Sequence, residues 1–142
     1  MKYHFKIHKA SKGFWAECLE LDGCITQGED REHLQLMMED ALSAYLFEPE
    51  SSKHIFPMPD LTLKGRNIVT ASVDAKTAMA MVLRQSRLQM KLTQRQVATK
   101  LGMKHIFQYQ KLESGKTANP ELATLAKLKL VFPNLSVDSV LL

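Results

Sequence analysis

Long apolar runs are missing from this chain: no stretch approaches the ~20 residues of a membrane span. The opening MKYHFKIHKA alternates charged and apolar residues and has no apolar h-region, which argues against a secretory signal. Cysteine is scarce. Cys18 and Cys24 are too few for a disulfide framework, and they lack the paired spacing and following His of a zinc site. They read as small, half-buried residues of a cytoplasmic protein kept reduced, with no redox role expected. The histidines His4, His8, His33, His54 and His105 form no triad with a nucleophile. No cofactor motif or metal ligand set stands out, and no enzyme is expected.

Acid is scarce too, but only in the second half. Residues 1–66 carry 8 Lys and Arg against 11 Asp and Glu, a net −3. Residues 67–142 carry 11 against 4, a net +7. Such a sign asymmetry suggests two domains with different partners, here 1–73 and 74–142. The basic part suits a polyanion and the acidic part a basic protein surface.

The front part predicts a small α+β layer. In KYHFKIHK, Tyr3, Phe5 and Ile7 take one face and Lys2, His4, Lys6 and His8 the other, the period of a half-buried strand. FWAECLEL (14–21) reads as a second strand after the turn 10–13, and a short third strand follows Asp22-Gly23. Leu34, Met37, Met38, Ala41, Leu42 and Tyr45 then trace a helical stripe. Asp30 is its N-cap and Pro49 its stop. The proline-containing stretch 47–60 reads as a loop, and NIVTASVD (67–74) as a fourth strand. Glu17, Glu20 and Asp22 are the tempting carboxylates. On a strand, Glu17 and Glu20 face opposite sides, and Glu20 and Asp22 find no third ligand, so the set of acids that a metal nuclease needs does not converge. His4 and His8 share a face but lie roughly 13 Å apart along it, too far to share a metal.

The back part predicts short helices. Asp74 can cap a helix over 75–90 with a buried stripe of Ala75, Ala78, Met79, Val82 and Ser86. Thr93-Gln94-Arg95-Gln96 is a capping box opening a helix that buries Val97, Ala98 and Leu101 and stops at Gly102. A third helix carries Ile106, Phe107, Tyr109 and Leu112 and ends near Gly115. Asn119-Pro120 marks the start of a fourth, with Leu122, Leu125 and Ala126 as its apolar side. SVDSVLL adds a last short turn. Two short helices joined by a tight connection form the helix-turn-helix pattern, in which the second lies in the DNA major groove. Gln can pair bidentately with adenine, and Lys and Arg suit guanine or phosphate. Thr93 and Gln94 stand where helix N-terminal N–H groups can receive phosphate. Lys104, His105, Gln108 and Lys111 are the candidates for the exposed side of the reading helix. Glu113 is the one acid on the second and third helices, and it calls for a specific partner, such as a cation on a neighbouring helix. The plain alternative is that Gln and Lys here merely solvate helix faces of a dimerisation module.

TQRQVATKLGM, QKLESGK and NPELATLAKL resemble the Xre/Cro-type helix-turn-helix domain, and FWAECLELDGCITQGED followed by an amphipathic helix resembles the HicB antitoxin domain. Together they cover nearly the whole chain. The resemblance implies an N-terminal partial RNase H-like fold without its catalytic carboxylates, and an all-α C-terminal domain. It implies an antitoxin that silences a HicA-type toxin (a small, basic, mRNA-cleaving protein) and represses its own operon. The partners implied are that toxin, operator double-stranded DNA, and a second copy in a homodimer or higher homo-oligomer. Glu17, Glu20 and Asp22 become candidate toxin contacts. Twelve residues separate Gly102 from Gly115 where the common Xre pattern has eleven, so the turn or the start of the third helix must absorb one. Two other readings stand beside this one: an RNase H-like nuclease tethered to DNA, and a stand-alone repressor without a toxin partner.

Overall fold

The computed structural model of the chain describes residues 1–49 and 51–142; Glu50, within the loop expected over 47–60, lies outside the described residues. Met1–Phe47 and Phe56–Asp74 form one compact unit, and Glu48–Ile55 and Ala75–Leu142 form another. Among the described residues no helix is long and apolar enough to cross a membrane.

The first unit is α+β. Strands β1 (Lys2–Lys9), β2 (Phe14–Cys18), β3 (Ile25–Gly28) and β4 (Ile68–Ser72) make an antiparallel sheet in the order β3-β2-β1-β4. The alternation of β1 sets its faces. Tyr3, Phe5 and Ile7 are buried and join Ala16 and Ala71 in the core. Lys6 and His8 lie on the other face opposite Glu17 and Trp15. Helix α1 (Arg31–Tyr45) packs on the sheet through Leu34, Met38 and Leu42. Asp30 caps it as the sequence predicts, accepting from the His33 N–H at 2.7 Å.

Strand β2 stops three residues earlier than expected. Glu20 turns inward instead of continuing the pleat. Its carboxylate accepts from the His4 N–H at 3.0 Å, meets His4 Nδ1 at 2.6 Å and accepts from the Asp60 N–H at 3.3 Å. These bonds satisfy backbone donors that the sheet leaves unpaired, so the local strand preference of LEL yields to a non-local cap. The odd spacing of Glu17 and Glu20 therefore carries no facial meaning, because Glu20 is not in the strand.

The second unit is helical: α2 (Ala75–Gln89), α3 (Gln94–Lys100), α4 (Ile106–Gln110) running on into a 3₁₀ turn (Lys111–Glu113), α5 (Leu122–Val131) and α6 (Asp138–Leu141). Two expectations need correction. Helix α2 has no single buried stripe: Thr77 through Gln85 are all buried, while Ala75 is exposed. Helix α5 starts at Leu122 with Glu121 in the cap position, so Asn119 does not cap it. Its first i→i+4 bond runs from the Leu125 N–H to the Glu121 carbonyl, which leaves Pro120 outside the helix. Leu128 is its one buried residue, whereas Leu122 and Ala126 face outward.

Candidate nucleic-acid interface

The connection from α2 to α3 is built by local chemistry. Lys91 adopts a left-handed φ of 56°, and the Leu92 N–H returns to the Arg87 carbonyl at 3.1 Å, which closes α2. Thr93 then opens α3 with the predicted capping box. Its hydroxyl accepts from the Gln96 N–H at 3.1 Å, and Gln96 Oε1 accepts from the Thr93 N–H at 2.8 Å. Gly102 ends α3 at φ +72°, the left-handed position that glycine takes most easily. Helix α4 begins at Ile106.

A buried polar network holds these elements in one geometry. Glu113 Oε1 accepts from Arg87 Nε at 2.6 Å and from the Tyr109 hydroxyl at 2.6 Å. Glu113 Oε2 accepts from an Arg87 guanidinium nitrogen at 3.0 Å and from Gln94 Nε2 at 2.9 Å. Gln110 Nε2 donates onward to Gln94 Oε1 at 3.2 Å. The cation that Glu113 calls for is thus Arg87 on α2, and the pair is nearly dry, with side chains 7% and 3% exposed. Burial opposes the Arg87 charge, but the hydrogen bonds and field of Glu113 outweigh it and hold the guanidinium above its ordinary value. Burial and the same carboxylate push the Tyr109 phenol well above its ordinary range. One carboxylate therefore ties α2, α3, α4 and the 3₁₀ turn together.

This network also cleans the outer surface of acid. Glu113 is the sole Asp or Glu between residues 75 and 120, and it is inside. Lys91, Arg95, Lys100, Lys104, Lys111 and Lys116 are exposed with no carboxylate from this segment among them. A surface of that kind attracts phosphate and has no built-in competitor.

The sequence-predicted residues are placed as follows. Thr93 is exposed, with its hydroxyl engaged in the cap. Gln94 is half-buried, and both ends of its amide bond within the network, so it positions α3 against α4. Lys104, His105, Gln108 and Lys111 are all exposed. Gln108 Oε1 accepts from the His105 N–H at 3.3 Å, a long bond that a stronger partner can displace. In the other unit, Glu17 is 38% exposed beside His8 at 3.1 Å, and Asp22 is exposed. The Glu20 side chain is 4% exposed and committed to His4 and Asp60.

One residue was misjudged. Phe107, read from sequence as an apolar residue of the third helix, is 61% exposed, and the Lys111 ammonium lies 5.2 Å from its ring centroid. Lys111 follows Phe107 by four residues and Gln108 by three, which puts the three on one exposed side of the helix with Tyr109 and Leu112 buried, whereas Lys104 precedes the helix, before the extended His105. That spacing was the available signal.

Helices α3 and α4 are thus two short helices held on a third, α2. The helix-turn-helix family model matches residues 83–138, from the middle of α2 to the first residue of α6. The chain thus carries a helix-turn-helix domain of the Xre/Cro type, from a family of DNA-binding transcription regulators. No curated protein matches the chain.

Proposed function

We propose that the chain is a HicB-type antitoxin that represses its own operon and silences a small, basic, mRNA-cleaving toxin in the cytoplasm. The observation that carries the regulatory part is the acid-free cationic face of α3 and α4, fixed by the Arg87–Glu113 network. In this reading α4 enters the major groove. Gln108, Phe107, Lys104 and His105 address base edges, and Lys111, Arg95 and Lys100 meet phosphates. Thr93 and Gln94 bring the start of α3 to the backbone.

The antitoxin part rests on the resemblance of the β2–β3 segment and α1 to the HicB domain, on the order of three strands, one helix and a fourth strand, and on the acid excess of residues 1–66. The sheet unit then corresponds to a partial RNase H-like fold that lacks catalytic acids. Among the described residues no group of three metal-ligating side chains comes together. Glu17 and Asp22 serve as surface contacts to the cationic toxin, while Glu20 shapes the turn that presents them.

Two copies bind the operator. Leu122, Ala126 and Leu130 lie at i, i+4 and i+8 on α5, and both leucines are 83% exposed. The stripe reads the same in both directions: a two-fold axis at Ala126 sets each Leu122 against the partner's Leu130, with the small alanine permitting close approach. Half-sites about one helical turn apart follow from such a dimer.

The experiment is co-expression with the product of the adjacent gene. The antitoxin reading predicts a stable complex that restores growth otherwise stopped by that product, and loss of rescue on charge reversal at Glu17 and Asp22. Specific binding to its own promoter with no protein partner and no growth rescue identifies a stand-alone repressor instead.

A further inference from the structure

We propose that Cys18 and Cys24 form an oxidisable dithiol, a modification site that a small-molecule disulfide closes into an intramolecular cystine bridge. The sequence offers the two residues six positions apart with no paired motif, so the site is a product of the hairpin. The β2–β3 ladder pairs Glu17 with Ile25, and the next facing pair is Cys18 with Cys24. The Cys18 N–H donates to the Cys24 carbonyl at 2.9 Å, which extends the ladder by that pair. Facing residues in an antiparallel pair have Cα atoms about 4.5–5.5 Å apart, inside the roughly 4.4–6.8 Å that a disulfide spans. Both side chains share the inward face with Ala16 and Thr26. Both are free thiols, 7% and 3% exposed.

The surrounding turn holds this arrangement. Gly23 takes φ +82°, the Cys24 N–H donates to the Leu21 carbonyl at 3.1 Å, and the Tyr45 hydroxyl donates to the Asp22 carbonyl. The turn therefore keeps Cys18 and Cys24 facing each other across the hairpin. Asp22 and Gly23 are exposed beside Cys24, which gives a small oxidant its approach.

The two thiols are chemically unequal. The Cys18 thiol is pushed up by the neighbouring Cys24 and by burial, and it donates to Glu20 Oε2 at 3.6 Å. The contact with Cys18 holds the Cys24 thiol below its ordinary value. Cys24, next to the exposed turn residues Asp22 and Gly23, is the attacking sulfur, because Cys18 lies in the strand with its thiol held by Glu20. Its thiolate attacks one sulfur of the small disulfide, forms a mixed disulfide and expels one thiolate. Cys18 gives its proton to solvent, attacks the Cys24 sulfur and expels the second thiolate. One small disulfide is reduced to two thiols as two cysteines are oxidised to one cystine.

The test equilibrates the full chain with mixtures of reduced and oxidised glutathione, followed by acid quench, alkylation, intact mass and peptide mapping. The expected result is a monomeric species lighter by two hydrogens, with Cys18 and Cys24 in one cross-linked peptide pair. Cys18→Ser accumulates a stable glutathione adduct on Cys24 that the native chain does not, whereas Cys24→Ser stays largely unmodified. Both thiols remaining alkylatable in the folded chain, under conditions that oxidise the urea-unfolded chain, overturns the proposal. So does a bridge that maps between two molecules, and an unmodified Cys24 in Cys18→Ser overturns the order of attack. If either serine variant fails to fold, the native chain's mass and map decide alone.

Discussion

Replacing Glu113 with alanine perturbs the one group on which α2, α3, α4 and the 3₁₀ turn converge. The side chain accepts four hydrogen bonds from Arg87, Tyr109 and Gln94, and the ion pair is nearly dry. Truncation leaves the Arg87 guanidinium without its carboxylate in a site where little water can replace it. Stranding one partner of a buried pair costs about 3–5 kcal/mol, against a total stability of roughly 5–15 kcal/mol for a typical domain. With a urea m-value of about 1.5 kcal/mol/M, the midpoint of the helical unit falls by about 2–3 M. Far-UV circular dichroism reads that transition; Trp15, the one tryptophan, stands on β2 and reports on the sheet unit instead. Exchanging both charges, Arg87→Met with Glu113→Leu, strands neither, and its loss is smaller than the summed single losses by about 2 kcal/mol. A cost for Glu113→Ala within the ~1 kcal/mol of an exposed ion pair, or strict additivity in the cycle, would refute the reasoning.

Thr93→Ala removes the hydroxyl of the capping box and is expected to cost about 1 kcal/mol in the helical transition, with Thr93→Ser recovering most of it. Tyr109→Phe tests linkage. The folded phenol titrates well above the ordinary 10.0, so the unfolded chain releases its proton first and stability falls as pH rises past about 10. The variant is less stable at neutral pH, yet its urea midpoint declines less steeply above pH ~10 than that of the native chain; parallel declines refute the assignment. Gln108→Ala and Phe107→Ala should each weaken operator binding by about 1–3 kcal/mol and relax sequence choice at separate positions, read by competition against single-base operator variants.

The parts legible in the sequence are those decided within a turn or two of chain. The Asp30 cap, the Thr93–Gln96 box and Gly102 as a helix stop depend on neighbours three or four residues away. The alternation of β1 also shows directly, because one face is buried and the other, apart from His4 under Glu20, is not. Glu113 was conspicuous as a lone acid among cations, and its need for a cation was legible although Arg87 was not. Non-local events were hidden. Nothing near Glu20 reveals that it turns in to serve the His4 and Asp60 amides, so β2 looked longer than it is. Helix α5 is apolar nearly all round, which leaves no stripe to separate its buried Leu128 from its exposed Leu122 and Leu130. Phe107 was grouped with the apolar residues of its helix on hydrophobicity alone, against the four-residue spacing that sets it beside Lys111. The pairing of Cys18 with Cys24 depends on the hairpin register, which no spacing rule contains.

In the reading proposed above, the cationic face of α3 and α4 binds duplex DNA through phosphate contacts. The most direct measurement is the affinity of the full chain for a labelled duplex from its own promoter region, by fluorescence anisotropy across a salt series. With three to five of Lys91, Arg95, Lys100, Lys104 and Lys111 on phosphate in each domain, the plot of log K against log salt falls with a slope of about −3 to −5 per domain. Lys100→Glu with Lys111→Glu makes that slope markedly shallower. Absence of binding in dilute salt, or an affinity indifferent to salt and to the two reversals, contradicts the account.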